Sequence, residues 1–188
     1  MAAPAQEWQW PSSWTEADLR HLPDDGHRYE VFDGSLLVTP PAGETHQDIS
    51  ARLLIALRAA APDGWRVLQE IGLRCGGRLL IPDLVVLPPH APRAEADYND
   101  TRKVPPALVV EIESRSTVLM DRGSKPLVYS EAGIPAYWRV ERDGTVHIHQ
   151  QPDDGEPYKL LHTVRKGSTF QVDVPFPMLL DPAAIASR

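Results

Sequence analysis

Leu79-Leu80-Ile81-Pro82-Asp83-Leu84-Val85-Val86-Leu87 and, across a 27-residue spacer between Asp83 and Glu111, Leu108-Val109-Val110-Glu111-Ile112-Glu113 carry the reading of this chain. Both segments are apolar at nearly every position, the pattern of strands covered on both faces. Yet each holds carboxylates. Side chains alternate along a strand, so Asp83 is expected on the face of Ile81, Val85 and Leu87, and Glu111 and Glu113 on the face of Val109. Those two glutamates would stand about 7 Å apart. Burying unpaired carboxylates costs several kcal/mol per ion, so a cation must lie close by, either a side chain or a metal.

Working outward, Asp121 to Ala132 predicts a helix closed by Gly133 and Pro135. At 100° per residue Lys125 lines up with Val128, Tyr129 and Ala132 on the inward stripe, four residues after Asp121. A lysine stem of about 6 Å brings its amine back towards Glu111. Pro126 suits a first turn, which moves the expected start of this helix towards Ser124. An earlier helix is predicted from Thr45, capped with Asp48, to the stop at Pro62-Asp63-Gly64, with the stripe Ile49, Leu53, Leu57 and Ala60. His46 falls on its inner face at the N-terminus, where the helix dipole favours neutral imidazole.

Tyr29 to Val38 reads as a hairpin across Asp33-Gly34, and the YWRVE and TVHIH runs as another across Asp143-Gly144. Arg66 to Arg74 reads as one strand, residues 88–106 as a long polar, proline-rich loop, and the C-terminal region as edge strands with a frayed tail. Helices and strands alternating on one core predict an α/β fold with a mixed sheet. Residues 1–27 read as an N-terminal arm and 28–188 as a single domain.

Composition sets bounds. A chain of 188 residues predicts one domain, and 42% apolar residues supplies a core for it. The formal charge of −7 excludes a protein that holds nucleic acid mainly through a bulk basic surface. The single cysteine, Cys75, excludes an internal disulfide and a cysteine-only zinc site. No apolar run is long enough for a membrane helix and no secretory leader is recognisable, so a cytoplasmic protein is expected.

Asp83 and Glu111 with Lys125 make a constellation suited to magnesium-assisted hydrolysis: carboxylates hold a hard divalent ion, and the lysine meets charge on a phosphate. The plainer reading is a structural ion pair of Lys125 with Glu111 or Asp121. His147 and His149 could begin a metal site, or belong to the exposed face of a hairpin. Trp8, Trp10 and Trp14 could stack on bases, but anchoring the arm in an apolar groove or on a partner subunit is the better expectation. Arg93, Arg102, Lys103, Arg115 and Arg122 fall in loops that could form a basic rim.

Pro82-Asp83, the spacer and Glu111-Ile112-Glu113 resemble the PD-(D/E)XK nuclease signature. More narrowly, the chain resembles the bacterial putative restriction endonuclease family. The matching pieces are YEVFDGSLLV with Glu30 and Gly34, His46, IPDLVVL with Asp83, LVVEIESRST with Glu111, Lys125 with Tyr129, and AGIPAYWRV with Gly133, Tyr137 and Trp138. The resemblance covers about Arg28 to Val140. It implies a restriction-endonuclease-like core with a mixed central sheet flanked by helices, usually as a homodimer, and Mg²⁺-dependent cleavage of DNA, with Mn²⁺ as a substitute. By the same resemblance Asp83 and Glu111 are metal ligands, the Ile112 carbonyl is a third candidate, and Glu30 and His46 are accessory; Glu113 is expected near the site as a further accessory residue. The usual lysine position, two residues after the glutamate, holds Glu113, so Lys125 is expected to act in its place. The expected function is a Mg²⁺-dependent endonuclease; the rival is a nuclease fold without catalysis that serves as a binding module.

Overall fold

The run Leu79–Leu87 is one apolar stretch in sequence and two strands in space. A computed structural model describes residues 10–93, 98–152 and 156–186. Its elements, in chain order, are α1 (Glu16–Leu19), β1 (Arg28–Phe32), β2 (Ser35–Thr39), α2 (Glu44–Ala60), β3 (Arg66–Gln69), β4 (Gly72–Cys75), β5 (Arg78–Leu80), β6 (Leu84–Leu87), β7 (Tyr98–Asp100), β8 (Leu108–Ile112), α3 (Val118–Arg122), α4 (Ser124–Glu131), β9 (Ala136–Val140), β10 (Val146–Gln150), β11 (Lys159–Val164), β12 (Phe170–Val172), β13 (Met178–Leu180) and α5 (Pro182–Ile185). One sheet runs β2-β1-β5-β4-β7, a second β11-β10-β9-β8-β6-β3, and β12-β13 form a small third. Pairing is antiparallel except for β4 with β7 and β8 with β9. The fold is α/β with mixed sheets, as expected.

Two expected strands are each broken where the chain crosses between sheets. Arg66–Arg74 divides at Glu70, a residue with φ of 50°, into β3 of the six-stranded sheet and β4 of the five-stranded one. Leu79–Leu87 returns the other way, from β5 to β6, and breaks at Ile81-Pro82-Asp83. Asp83 is therefore at the crossing and not inside a strand. The backbone groups that the crossing frees have to be satisfied. Pro82 has no N–H to satisfy. Glu30 Oε1 accepts from Ile81 N at 2.7 Å, Arg28 reaches the Ile81 carbonyl at 3.4 Å, and Glu70 N donates to the Asp83 carbonyl at 3.2 Å.

The six-stranded sheet is covered on both faces, and Leu84–Leu87 and Leu108–Ile112 are buried throughout. On one face Ile49, Leu53 and Leu57 of α2 pack with Val86, Leu108, Val110 and Trp138. On the other, Val85, Val109 and Tyr137 meet Val128 and Tyr129 of α4 together with Leu73 and Leu80 of the second sheet. Alternation from Val109 puts Glu111 on this second side, under α4.

Other local expectations change. Helix α2 starts one residue before Thr45, with Gly43 as an N-cap that makes no side-chain bond, and Asp48 pairs with Arg52 at 2.8 Å instead of capping. The Asp121–Ala132 helix is two helices, α3 and α4, separated at Gly123, with Pro126 in the first turn of α4 where its missing N–H does no harm. The 88–106 loop contains β7, whose Tyr98 ring lies against Gly72: a Cβ there would come within 2.3 Å of it, so only glycine fits. Within the described residues the C-terminal segment is not frayed, since Ile185 is buried in the α2 side of the core. Trp14 is buried against Val31 and Leu79 of its own chain, while Trp10 is 70% exposed beside it; Trp8 lies outside the described residues.

Candidate active site

The residues that cluster come from β1, the crossing, β8 and the two short helices. Arg28 and Glu30 share one face of β1 at a spacing of two. Asp83 Oδ1 accepts from Arg28 at 2.7 Å, and its Oδ2 accepts from Ile112 N at 2.7 Å and lies 3.2 Å from His46 Nε2. An ionised carboxylate only accepts, so His46 presents Nε2–H to Asp83. Glu111 Oε1 accepts from Lys125 Nζ at 3.0 Å and from Tyr129 OH at 2.6 Å. The same ammonium lies 3.2 Å from Glu30 and 4.0 Å from Asp121. Glu30, Asp83, Glu111, Asp121 and Lys125 are all buried.

The structure thus brings Glu30, Glu111 and Lys125 together and ties Asp83 to them through Ile112, with His46 behind Asp83. It leaves Glu113 out. That carboxylate is held by Arg122, at 2.6 and 2.9 Å, and by Arg139. Arg28 belongs to the cluster, although sequence patterning does not single it out; Asp121, expected from sequence only as an ion-pair partner of Lys125, lies 4.0 Å from that ammonium. For Arg28 a signal exists, two residues before Glu30 on a predicted strand. For Tyr129 the inward stripe of α4 holds it, but nothing in sequence says that its hydroxyl meets Glu111.

Four buried carboxylates face two permanent cations, Arg28 and Lys125, and proton affinities follow from that deficit. Burial pushes Glu111 up to about 8 and Asp121 up to about 6, against the pull of Lys125 on both. Asp83 is the opposite case: burial resists ionisation, but the His46 hydrogen bond and Arg28 charge hold it at about 2. Buried Lys125 is pushed above its ordinary value by Glu111, Glu30 and Asp121 in spite of desolvation. Neither carboxylate oxygen of Asp121 has a hydrogen-bond partner.

These shifts set the pH dependence of the metal-free protein. Glu111 and Asp121 bind protons more tightly folded than unfolded, so stability falls as pH rises from their ordinary values of 4.5 and 3.8 through about 8 and about 6. Asp83 contributes stability above 3.8 that is lost as pH falls towards about 2. Urea melts in EDTA should show a lower midpoint at pH 8 than at pH 5, and Glu111→Gln should flatten that difference. A slope unchanged in Glu111→Gln would locate the titration elsewhere.

Residues 16–184 match the Uma2 family, described as putative restriction endonuclease. The chain belongs to that family. Among solved structures, the Uma2 chain is similar to a putative nuclease of DUF820 from Anabaena variabilis, at 18% identity and a TM-score of 0.70, over 92% of this chain and 97% of that one. At that identity the likeness shows a nuclease-like fold. No curated protein matches the chain.

Restriction-endonuclease-like families generally use divalent metals. Among the described residues no three His, Cys, Asp or Glu side chains converge as a metal cage. Magnesium needs less, because it keeps several waters and takes one or two carboxylates. The donors fit its chemistry: they are hard oxygens, their charge exceeds that of the nearby cations, and Asp121 is buried and without a hydrogen-bond partner. Among the described residues, His147 and His149 join no third ligand that would make a second site. Nor do they face solvent, since His147 bonds Glu141 and Thr163, and the half-buried His149 lies against Tyr137. Cys75 is buried with its thiol pushed up to about 12, which makes it inert.

Of the expected basic rim, Arg102 pairs with Asp100 and Arg122 with Glu113, while Arg93 and Lys103 line a separate cavity beside Arg74. Arg115 alone of that set borders the site. No helix among the described residues is long and apolar enough to cross a membrane.

Proposed function

We propose that this Uma2-family protein is a divalent-metal-dependent endonuclease that hydrolyses DNA phosphodiester bonds, with Mg²⁺ as the natural ion and Mn²⁺ able to replace it. The observation that carries this reading is Lys125 Nζ at 3.0 Å from Glu111 Oε1, an ammonium beside the acidic residue whose signature lysine is absent. Asp83 and Glu111 would hold the ion. When bound, a divalent ion lowers the pKa of a water and offsets charge on the phosphate. Lys125 keeps Glu111 aimed and provides the positive charge that the phosphate meets; Tyr129 fixes the same carboxylate oxygen, and His46 with Ile112 N–H orients Asp83. A cytoplasmic location and a homodimer belong to the same reading. Leu160 and Leu161 on the edge strand β11 are each 55% exposed, which supports pairing with a second copy.

A non-catalytic binding role is favoured by one observation: both oxygens of Asp83 are already engaged by protein donors. Nicking of supercoiled plasmid with Mg²⁺ or Mn²⁺, abolished by EDTA, separates the two. Absence of cleavage of any DNA or RNA with any divalent ion would sink the enzyme reading, and cleavage of RNA alone would overturn the DNA assignment.

Glu113→Ala should reduce nicking by less than about tenfold, because Glu113 touches Arg122 and Arg139 and not Lys125. Glu113→Lys restores the usual signature on paper but sets a cation against those two arginines. It should lower the melting temperature without raising the rate, and a faster Glu113→Lys enzyme would show that the side chain can turn towards Glu111.

A further inference from the structure

Strands β8 and β9 run parallel, so the loops that follow them leave the same end of the sheet, joined by Glu113 N to the Val140 carbonyl at 2.8 Å. Crevices at the carboxyl ends of such strands are where α/β sheets bind ligands. Here the crevice is a cleft of about 450 Å³ between those loops and the start of α2, lined by Gly43, Thr45, His46, Ile112, Arg115 and Arg142, with Glu44 and Glu113 among its other residues. That volume suits a nucleotide. Two of its floor residues, His46 and Ile112, are the ones bonded to Asp83 Oδ2.

Two features make this cleft a place for an anion, and an unpaired polar atom at its floor leaves room for a donor of the same ligand. Arg115 and Arg142 are exposed, and among the described residues neither guanidinium has an ion pair or hydrogen bond. The N-terminus of α2, a 17-residue helix, has no side-chain cap, so its first-turn amides lack that partner. His46 is buried, with only 9% of its side chain exposed; with Nε2–H held by Asp83 its partnerless Nδ1 is an acceptor, a place for a ligand's amine or hydroxyl donor or a water and not for the phosphate itself. Of the acidic residues at the edge, Glu113 is neutralised by Arg122 and Arg139, and Glu44 is exposed.

We infer that one strand of the nucleic acid lies in this cleft, with Arg115 and Arg142 gripping the phosphates that flank the scissile bond and the α2 amides taking part of their charge. The inference rests on the nuclease reading and gives that site its substrate-binding side. It also explains how a chain of net charge −7 can hold a polyanion, through a local pair of free arginines and helix amides in place of a basic surface.

Fluorescence anisotropy of a labelled single-stranded oligonucleotide and of its duplex, in Ca²⁺ so that binding is read apart from Mg²⁺-supported cleavage, tests it. Arg115→Ala with Arg142→Ala should weaken binding of the single strand at least about tenfold and lower the salt slope by about 1 per arginine. The melting temperature should not move, as neither side chain supports the fold, and Arg115→Lys with Arg142→Lys should recover much of the binding. Arg93→Ala with Lys103→Ala, in the separate cavity, should leave binding unchanged. If wild type binds and nicks DNA while the Arg115 and Arg142 variants do both equally well, the cleft assignment is overturned and the nuclease stands. Loss confined to the Arg93 and Lys103 variants would overturn it in the same way. Wild type that neither binds nor cleaves overturns both.

Discussion

Lys125→Met is expected to lose about 3–5 kcal/mol of stability at pH 8 and at least about 100-fold in metal-supported nicking. The stability loss follows from the surroundings. Lys125 is 2% exposed and its ammonium serves Glu111, Glu30 and Asp121 at 3.0, 3.2 and 4.0 Å, so removing it strands three carboxylates in the interior. The lost charge can be replaced only by protons. Glu111 and Asp121 are already pushed up, so the deficit in urea melts should shrink at pH 5, where they protonate. The kinetic loss is separable because, on the proposed function, it concerns charge on the phosphate, for which no proton on Glu111 can substitute. Calorimetry should find divalent binding retained. A variant as stable as wild type at both pH values would mean that the carboxylates are not held by Lys125; equal nicking would remove it from catalysis.

Asp83→Ala is the second large effect, expected at about 3–5 kcal/mol with loss of divalent-ion binding by calorimetry. Its carboxylate answers a guanidinium at 2.7 Å, a buried backbone N–H at 2.7 Å and an imidazole at 3.2 Å. All three lose this acceptor together, and Ile112 N sits at the end of β8, beyond Val110, the last residue that β6 pairs there. Asp83→Asn keeps the shape and one acceptor oxygen, so it should fall between wild type and Asp83→Ala in stability while still failing to bind the ion. Unchanged ion binding in both variants would move the metal away from Asp83. The contrast with Glu111→Gln is instructive: there a like charge leaves a crowded site, so the metal-free fold should melt no lower than wild type at pH 8.

The apolar runs around Asp83 and Glu111, the α2 stripe and the two Asp-Gly hairpins determine on their own that this chain forms an α/β core with doubly covered strands. Those signals are local, since they depend on side-chain period and turn chemistry. Helical counting likewise puts Lys125 inward with Tyr129, and the α3–α4 break at Gly123 does not move it out. What the sequence could not decide is which sheet a strand joins. An apolar run reads the same whether it stays in one sheet or crosses to another, and only packing of the two sheets turns Ile81-Pro82-Asp83 into a junction. That junction creates the need for Glu30 and Arg28, whose partners lie 51 and 53 residues away. Glu113 is set apart by the same kind of fact. Alternation places it on the face of Glu111, but Arg139 on the next strand and Arg122 on α3 claim its carboxylate. Periodicity fixes the face of an element; the partner of a buried charge is chosen by whichever opposite charge the assembled fold brings within reach.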